Sequence, residues 1–307
     1  MVDYKVNPKH MHLKKSNNKN WLMILIVVLL AVYAVCIIAP FVWTIISSFK
    51  TKDDFRNNFN FGLPIMDGGY LNYVNALKQL KVQINLGNGI SRYVYFPELF
   101  MNSFIYSVGC AIIQNVVSCL VAYLCSKYSH FKFTKLIYAV VIVTMILPIC
   151  GSLASEIQMA KNLYLFDSFI GIFIMRANFL GMNFMVFYAA FKGIPNDFAE
   201  AAQIDGASHF QILARIMIPL IIPTFFITFL LSFIGYWNDY YIPMIYLPSH
   251  PTIAYALYCF QTNSSSTVSF VPAKLAACII VFVPVFVLFL IFRKKLIGNL
   301  TVGGLKG

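Results

Sequence analysis

Long apolar runs alternate with shorter polar segments along most of the chain. The first run, Trp21 to Ile46, contains 26 residues, and a helix needs about 20 to cross the hydrocarbon core of a bilayer. Five further apolar runs of 18 to 25 residues follow it. The pattern predicts an all-α membrane protein with six transmembrane helices, at about residues 21–49, 100–124, 136–155, 169–190, 219–236 and 273–292.

A cleaved signal peptide is the alternative interpretation of the first run. Its apolar region would span only about 7 to 15 residues, with a small-residue cleavage site after it. The observed run is much longer, so we predict an uncleaved first span.

The polar segments predict the organisation of the chain and its orientation. Residues 1–20 and 293–307 are predicted to be cytoplasmic tails, 50–99 an external loop with a short helix at 72–81, and 194–218 a cytoplasmic loop. The segments assigned to the inside carry 14 Lys and Arg residues, against 7 outside. This excess predicts that both termini lie in the cytoplasm.

Composition supports the membrane interpretation and excludes two others. The chain is 60% hydrophobic and 11% charged, with a mean hydropathy of +0.74, whereas charged residues make up about 25% of soluble domains. The net charge of +12 does not indicate nucleic-acid binding, because the basic residues border the apolar runs. The seven cysteines lack paired zinc-site spacing, and their odd number argues against a disulfide framework.

The cytoplasmic segment 194–218, hereafter the elbow, has the sequence signals of two short helices joined by a turn. Asp197 followed by Glu200 predicts a reciprocal capping box that starts the first helix near Phe198. Ala201 and Ala202 give that helix a face with little side-chain bulk. Gly206 is expected to end it, because glycine tolerates the left-handed conformation that closes helices.

The second helix of the elbow has its own start and stop signals. Ser208 with Gln211 predicts another capping box. The helix is then expected to run toward Pro219, where the missing backbone donor allows a bend into the fifth span. The predicted product is a rigid bent connector.

These residues in combination resemble the EAA loop of permease subunits in ATP-binding-cassette (ABC) importers, in particular the carbohydrate-uptake branch related to maltose permeases. Ile218 stands where that pattern usually has Leu. A Glu-Ala-Ala run alone is also simply a good helix former; the combination with the glycine, the proline and the flanking spans favours the family. The residues that carry the resemblance are Pro195, Glu200, Ala201, Ala202, Asp205, Gly206, Ala207, Ile216, Pro219, Leu220, Pro223, Trp237, Asn238, Asp239 and the chain end 303–307.

The resemblance implies a type I ABC importer permease fold and a set of partners. The expected partners are a second homologous permease, two ATPase subunits, an external solute-binding protein and membrane lipid, and ATP is expected to bind only to the ATPase subunits. No cofactor or metal is expected on this chain. The implied cargo is a sugar or oligosaccharide. The residues expected to contact an ATPase subunit are Glu200, Ala201, Ala202, Asp205, Gly206, Ala207 and Pro219.

Arg176 is an ionisable residue part way along the predicted fourth span, and such residues are usually functional. Asn178 is near it, and Asn183 follows seven residues later, about two helical turns. One face of this helix could therefore line a path for sugar hydroxyls. The alternative is that Arg176 snorkels toward the headgroups or joins two helices. Related permeases tend to have a proline near 182–184, which this chain lacks.

Trp237, Asn238 and Asp239 lie at the outer end of the fifth span, among several tyrosines. Aromatic faces suit sugar rings, so these three residues are candidates for the path, and an interfacial aromatic belt is the alternative. The polar stretch 262–267 is either a loop that reaches the solute-binding protein or a linker.

Two other functional classes remain as alternatives. An ion-coupled secondary transporter normally needs carboxylates inside its spans, and none of the eleven acidic residues lies mid-span here. An intramembrane enzyme would need a catalytic motif, and the chain has no His-Glu-x-x-His, Gly-x-Ser-x-Gly or phosphate-binding glycine-rich run. A permease without its own ATP hydrolysis is therefore the preferred hypothesis.

Overall fold

The apolar runs form helices in the computed structural model, which describes residues 18–57, 62–65, 68–85, 89–147, 151–262 and 270–303. Only the backbone is described for residues 18–20 and 293–303. The N-terminal tail before residue 18, Pro148, the polar stretch at 263–267 and the chain end from 304 lie outside these residues.

The described elements are helices, apart from one two-stranded hairpin. In chain order they are α1 (Asn18–Ser48), α2 (Lys52–Asn57), α3 (Leu71–Gln79), β1 (Lys81–Asn85), β2 (Ser91–Tyr95), α4 (Phe96–Lys127), α5 (Lys132–Ile146), α6 (Leu153–Asn162), α7 (Phe169–Arg176), α8 (Met182–Lys192), α9 (Asp197–Ile204), α10 (His209–Ile212), a π-helical segment (Leu213–Met217), α11 (Ile218–Asn238), α12 (Tyr241–Tyr246), α13 (Ile253–Thr262) and α14 (Val271–Gly303).

Four helical stretches in the described part of the chain are long and apolar enough to cross a membrane. They are Trp21–Ser48 in α1, Phe96–Lys127, the continuous stretch His209–Asn238, and Val271–Phe292 in α14, with lengths of 28, 32, 30 and 22 residues. In the stretch Trp21–Ser48, no residue of the most apolar window is buried by the rest of the chain. Its side chains are therefore free to face lipid or a partner subunit.

The predicted third and fourth spans are not continuous helices. The third is divided between α5 and α6, and Gly151 in the break has a φ of +83°. The fourth is divided between α7 and α8, and Gly181, directly before α8, has a φ of +134°. An α-helix cannot continue through such angles, which glycine adopts at little cost. The eight residues of α7 and the eleven of α8 are each too short to cross the bilayer alone.

A hairpin occupies part of the predicted external loop, where the sequence analysis proposed only a short helix. β1 and β2 pair antiparallel, with Lys81 opposite Tyr95 and Asn85 opposite Ser91. Val82 and Ile84 are buried while the residues between and after them are not. This period of two is the strand signal that the sequence contains. The predicted helix at 72–81 is observed as α3.

α4 is the central helix of the fold and packs against α8 and α11 along its length. One cluster of buried residues joins the hairpin, α4, α11, α13 and α14, and includes Trp237. A second joins α4, α8 and the elbow, and includes Phe187 and Ile212. The elbow is therefore continuous with the packed core and is not an isolated loop.

Candidate functional site

The first helix of the elbow, α9, presents its whole length at the surface, because none of its residues is buried. Glu200 and Ala201 are exposed, and Ala202 is half-buried on the side toward the core. The small side chains leave the helix backbone accessible to a partner surface. This is the accessible short helix that the sequence predicts.

Gly206 closes α9 as predicted. Its φ is +82°, its N–H donates to the carbonyl of Gln203 at 3.0 Å, and the N–H of Ala207 donates to the carbonyl of Ala202 at 2.9 Å. These two bonds form a Schellman motif, which satisfies the last carbonyls of the helix. A Cβ at Gly206 would meet no atom within 4 Å, so the backbone angle and not lack of space requires glycine here.

The two predicted capping boxes have different outcomes. Ser208 and Gln211 form theirs: the Ser208 N–H donates to Oε1 of Gln211 at 2.8 Å, and the Gln211 N–H donates to Oγ of Ser208 at 3.4 Å. The box predicted at Asp197 and Glu200 is wrong. Asp197 is already helical, its predecessor Asn196 has helical angles, and no side chain caps α9.

The elbow passes into α11 through the π-helical segment Leu213–Met217, without a break. Pro219 cannot donate a hydrogen bond to the carbonyl four residues earlier. Directly before this proline, the Ile218 N–H donates to the carbonyl of Leu213, five residues back, which is the π-helical pattern. π-helical turns often accompany functional sites. The fifth apolar helix therefore begins at His209, within the elbow, and not at Pro219.

Two polar contacts attach the elbow to the end of α4. Lys127 donates through Nζ to the carbonyl of Ile194 at 2.6 Å and to Oδ1 of Asn196 at 3.0 Å. The hydroxyl of Tyr128 and Nδ1 of His209 are 2.9 Å apart and share a hydrogen bond. These contacts connect the elbow to α4, the central helix of the fold.

Asn183, a predicted path residue, lies in a polar contact between three helices. Its Nδ2 donates to Oγ of Ser232 at 2.9 Å and lies 3.5 Å from Oδ1 of Asn115. Asn115 is fully buried and donates to Ser232 Oγ at 3.0 Å. Asn115, Asn183 and Ser232, hereafter the buried polar network, join α4, α8 and α11.

Arg176 and Asn178 lie at the break between α7 and α8, so the predicted shared helix face of Arg176 and Asn183 does not exist. Both residues at the break are half-buried. Nε of Arg176 is buried without a hydrogen-bond partner among the described residues. A buried guanidinium nitrogen with no partner is costly, and it leaves a donor for another group.

Asp239 orders the chain at the C-terminal end of α11. Its Oδ2 accepts from the Tyr106 hydroxyl at 2.9 Å, and its Oδ1 accepts from the N–H groups of Tyr241 and Ile242 at 3.0 and 3.1 Å. Nearby, the Tyr246 hydroxyl donates to Glu156 at 3.3 Å. Burial first, and then the Glu156 carboxylate, raises the pKa of Tyr246.

Trp237 and Asn238 have contrasting positions. Trp237 is 1% exposed, its Nε1 donates to the carbonyl of Val281 at 3.1 Å, and its ring packs between Phe100 and Phe233. Asn238 is exposed and donates to the carbonyl of Ile234 at 2.9 Å. In this structure Trp237 contributes to packing, and Asn238 remains accessible.

α4 carries a stripe of small and polar residues that was not among the predicted site residues, and one of its members, Asn115, belongs to the buried polar network. Ser103, Ser107, Ala111 and Asn115 recur every four residues, and all are buried. A stripe of small and polar residues at this spacing is typical of membrane helices that pack closely. This spacing is visible in the sequence, and it indicates that α4 packs closely against other helices.

The long apolar helices, the accessible elbow and the central polar stripe define a multi-pass membrane transport component. Residues 114–299, more than half of the chain, match the family described as binding-protein-dependent transport system inner membrane component. The chain belongs to this family.

Similar proteins cover nearly the full length. The diacetylchitobiose uptake system permease protein NgcG of Streptomyces coelicolor is 24% identical over 278 residues, which are 90% of this chain and 86% of that protein. The melibiose/raffinose/stachyose import permease protein MelC of Bacillus subtilis is 26% identical, covering 93% and 97%. The trehalose/maltose transport system permease protein MalG of Thermococcus litoralis is 26% identical, covering 92% and 97%.

A solved structure of the same fold belongs to a bacterial ABC transporter involved in the import of the acidic polysaccharide alginate. Its similar chain superposes with a TM-score of 0.71 at 24% identity, covering 91% of this chain and 98% of that one. The fold is therefore that of an ABC importer permease. The protein is a multi-pass cell membrane permease of an ABC importer and not an enzyme.

Proposed function

We propose that this permease carries a sugar or oligosaccharide and forms half of a translocation path with a second homologous permease. Support for the cargo comes from the relatives, whose names include diacetylchitobiose uptake, raffinose import and maltose transport. The other partners are an extracytoplasmic solute-binding protein and two ATPase subunits, which hydrolyse the ATP. An ion-coupled secondary transporter is not favoured by the family to which the chain belongs.

The proposed topology has six crossings with both termini in the cytoplasm. In it α5 with α6, and α7 with α8, each supply one interrupted crossing in addition to the four long helices. Interrupted helices are tolerated in membranes where other protein segments cover the break. In a cysteine-free background, Ser129→Cys should be protected from an impermeant maleimide in intact cells, and Asn162→Cys should be labelled. The reverse labelling pattern would overturn this orientation.

The elbow is proposed to be the connection to an ATPase subunit. The observation that carries this role is an exposed short helix, closed by a Schellman motif and attached to the end of the central helix. A rigid connector of this kind transmits rigid-body motion to the spans. Glu200, Ala201, Ala202, Asp205, Gly206, Ala207 and Pro219 are proposed to form or support the contact surface.

Replacement of Gly206 tests the coupling role. Gly206→Val forces a β-branched residue to a φ of +82°, which costs about 1–3 kcal/mol and should distort the elbow locally. We expect ATP hydrolysis to continue without solute uptake, while the chain still inserts and assembles. Gly89→Val is the matched control, because Gly89 also has a positive φ, +76°, and equally open surroundings, in the external hairpin. Normal uptake by Gly206→Val would overturn the proposal.

A polar solute path is proposed along Arg176, Asn178, Asn183, Asn238 and Asp239. The unpartnered Nε of Arg176 supports it most directly. Arg176→Ala should lower the uptake rate at a given solute concentration, and Arg176→Lys should restore part of it if charge is what matters. Uptake measured with the cognate solute-binding protein is the readout. Unchanged rate and preference in Arg176→Ala would limit this residue to a packing role.

A further inference from the structure

An apolar groove lies where the turn between α4 and α5 meets the elbow. It encloses about 630 Å³. Its walls are formed by the end of α4, the first two turns of α5 and the start of the helix that follows the elbow's turn, and they include Leu124, Phe131, Phe133, Ile137, Phe210 and Leu213. The groove is not part of the proposed solute path or of the exposed face of α9.

The side chains at the mouth of the groove are apolar and unusually exposed. Phe133 is 71% exposed and Phe210 is 76% exposed. Polar groups of three wall residues already have partners: the Thr134 hydroxyl donates to the carbonyls of Tyr128 and Phe131, and the Tyr128 hydroxyl shares a hydrogen bond with Nδ1 of His209. Such an apolar lining favours the binding of a hydrocarbon chain and provides few hydrogen-bond partners for a polar ligand.

Two lysines lie next to lining residues of the groove in the sequence. Lys132 and Lys135 are exposed in the first turn of α5, which contains no acidic residue and no side-chain cap. No carboxylate occurs anywhere from Lys127 to Ile146, and none lines the groove. The positive end of the α5 dipole adds to the same field. A neighbouring depression, by contrast, includes Glu200 of the coupling surface.

We propose that this groove binds an anionic phospholipid, with an acyl chain against Leu124, Ile137 and Leu213 and the phosphate near Lys132 and Lys135. The site rests on the proposed orientation, in which this end of α4 faces the cytoplasm, where the anionic lipids of a membrane attract basic segments. Charge complementarity with the two lysines and the apolar lining select a lipid over a protein segment as the occupant.

The site would link lipid composition to coupling. His209, Phe210 and Leu213 belong to the second arm of the elbow, whereas Tyr128 and Phe131 belong to the α4–α5 turn and Thr134 to the start of α5. A bound acyl chain therefore fills the space between the elbow and the α4–α5 turn. Without it, the Tyr128–His209 hydrogen bond joins these two segments at one point. Occupancy stiffens the elbow against α4 and raises the amount of solute imported per ATP hydrolysed.

The binding test uses the complete transporter in nanodiscs that contain phosphatidylcholine with or without phosphatidylglycerol. Native mass spectrometry should detect retained phosphatidylglycerol on the wild type. The double variant Lys132→Gln/Lys135→Gln should retain about thirtyfold less, because each of the two basic residues contributes roughly 1 kcal/mol to anionic lipid binding. Lys78→Gln, an exposed lysine of α3, is the matched control and should retain as much as the wild type.

A second variant separates the groove from its charges. Leu124→Trp places a large side chain in the groove while both lysines remain, and it should also lose the lipid. Equal retention by all variants, or equal retention of phosphatidylcholine, would overturn the proposal. So would crosslinks from a photoreactive residue at position 133 to an ATPase subunit instead of lipid. Lipid retention is read without transport, so its failure is distinct from failure of the importer function.

Discussion

The elbow and the buried polar network connect helices in opposite ways. The turn of the elbow obtains its shape from bonds between residues at most five apart, namely the two of the Schellman motif and the two of the Ser208 capping box. The buried polar network joins residues 49 to 117 positions apart. A locally determined element can transmit motion as a unit, whereas a network of distant residues fixes how the long helices pack.

This contrast predicts different consequences of mutation. Changes in the core should lower the stability of the whole fold, and changes in the elbow should affect local order and coupling while the fold persists. Because the same protein contains the core and the elbow, global stability and local amide hydrogen exchange can be measured on each variant.

Trp237 should give the largest effect. Trp237→Ala removes a fully buried ring from between Phe100 and Phe233, which should cost about 3–5 kcal/mol. Trp237→Phe retains most of the packing and loses only the bond to Val281, about 1 kcal/mol. Thermal unfolding of the purified transporter checks both values. A stable Trp237→Ala protein with altered solute affinity would instead assign Trp237 to the solute path.

The buried polar network should give the next largest effect. Asn183→Ala leaves Ser232 and Asn115 without one of their partners, which should cost about 1–3 kcal/mol. A double-mutant cycle with Ser232→Ala measures the coupling between the two side chains, and it should be clearly non-additive. Additive effects would mean that the network does not act as a unit between the helices.

The same contrast explains how far the sequence could predict the structure. The closure at Gly206 and the capping box at Ser208 were predictable, because short-range hydrogen bonds depend on residues a few positions apart. The contact of Asn183 with α4 and α11 was not, since it depends on packing between distant segments. The division of the fourth predicted span was missed for a related reason. The hydrophobicity of this span is continuous, and a single glycine, Gly181, does not by itself predict a break in a helix.

The cap at Asp197 shows a limit even for local signals. Its spacing to Glu200 satisfies the capping-box pattern, yet α9 begins one residue earlier than that pattern requires. Pro195 precedes the helix, and the Lys127 ammonium binds the carbonyl of Ile194 and the side chain of Asn196. A contact with α4 therefore occupies the start of the helix, where the sequence pattern assumed a free end.

Lys127 is one of two residues at the end of α4, with Tyr128, that connect this helix to the elbow. Lys127→Met should remove both bonds to the elbow, at a cost of about 1 kcal/mol after allowance for its partial exposure to solvent. Hydrogen exchange should increase at residues 194–204 while exchange in α4 and α11 stays as in the wild type. Lys78→Met, which changes an exposed lysine of α3 with no described hydrogen bond to the elbow, is the control. Increased exchange throughout the core would show that Lys127 supports the whole fold.

Substitutions at Ser208 and Asp197 should have the smallest effects, and their comparison distinguishes an observed helix cap from one that was only predicted. Ser208→Ala removes an observed helix cap, which is typically worth about 1 kcal/mol, and should increase hydrogen exchange in α10 without a change in the global unfolding temperature. Asp197→Ala changes a residue of the same predicted type that forms no cap, so it should alter exchange less. Ser208→Asp should restore the wild-type pattern, since aspartate caps helices as well as serine does. If Asp197→Ala instead had the larger effect, Asp197 would stabilise the start of α9 in solution, and the elbow would be organised from its first helix and not from its turn.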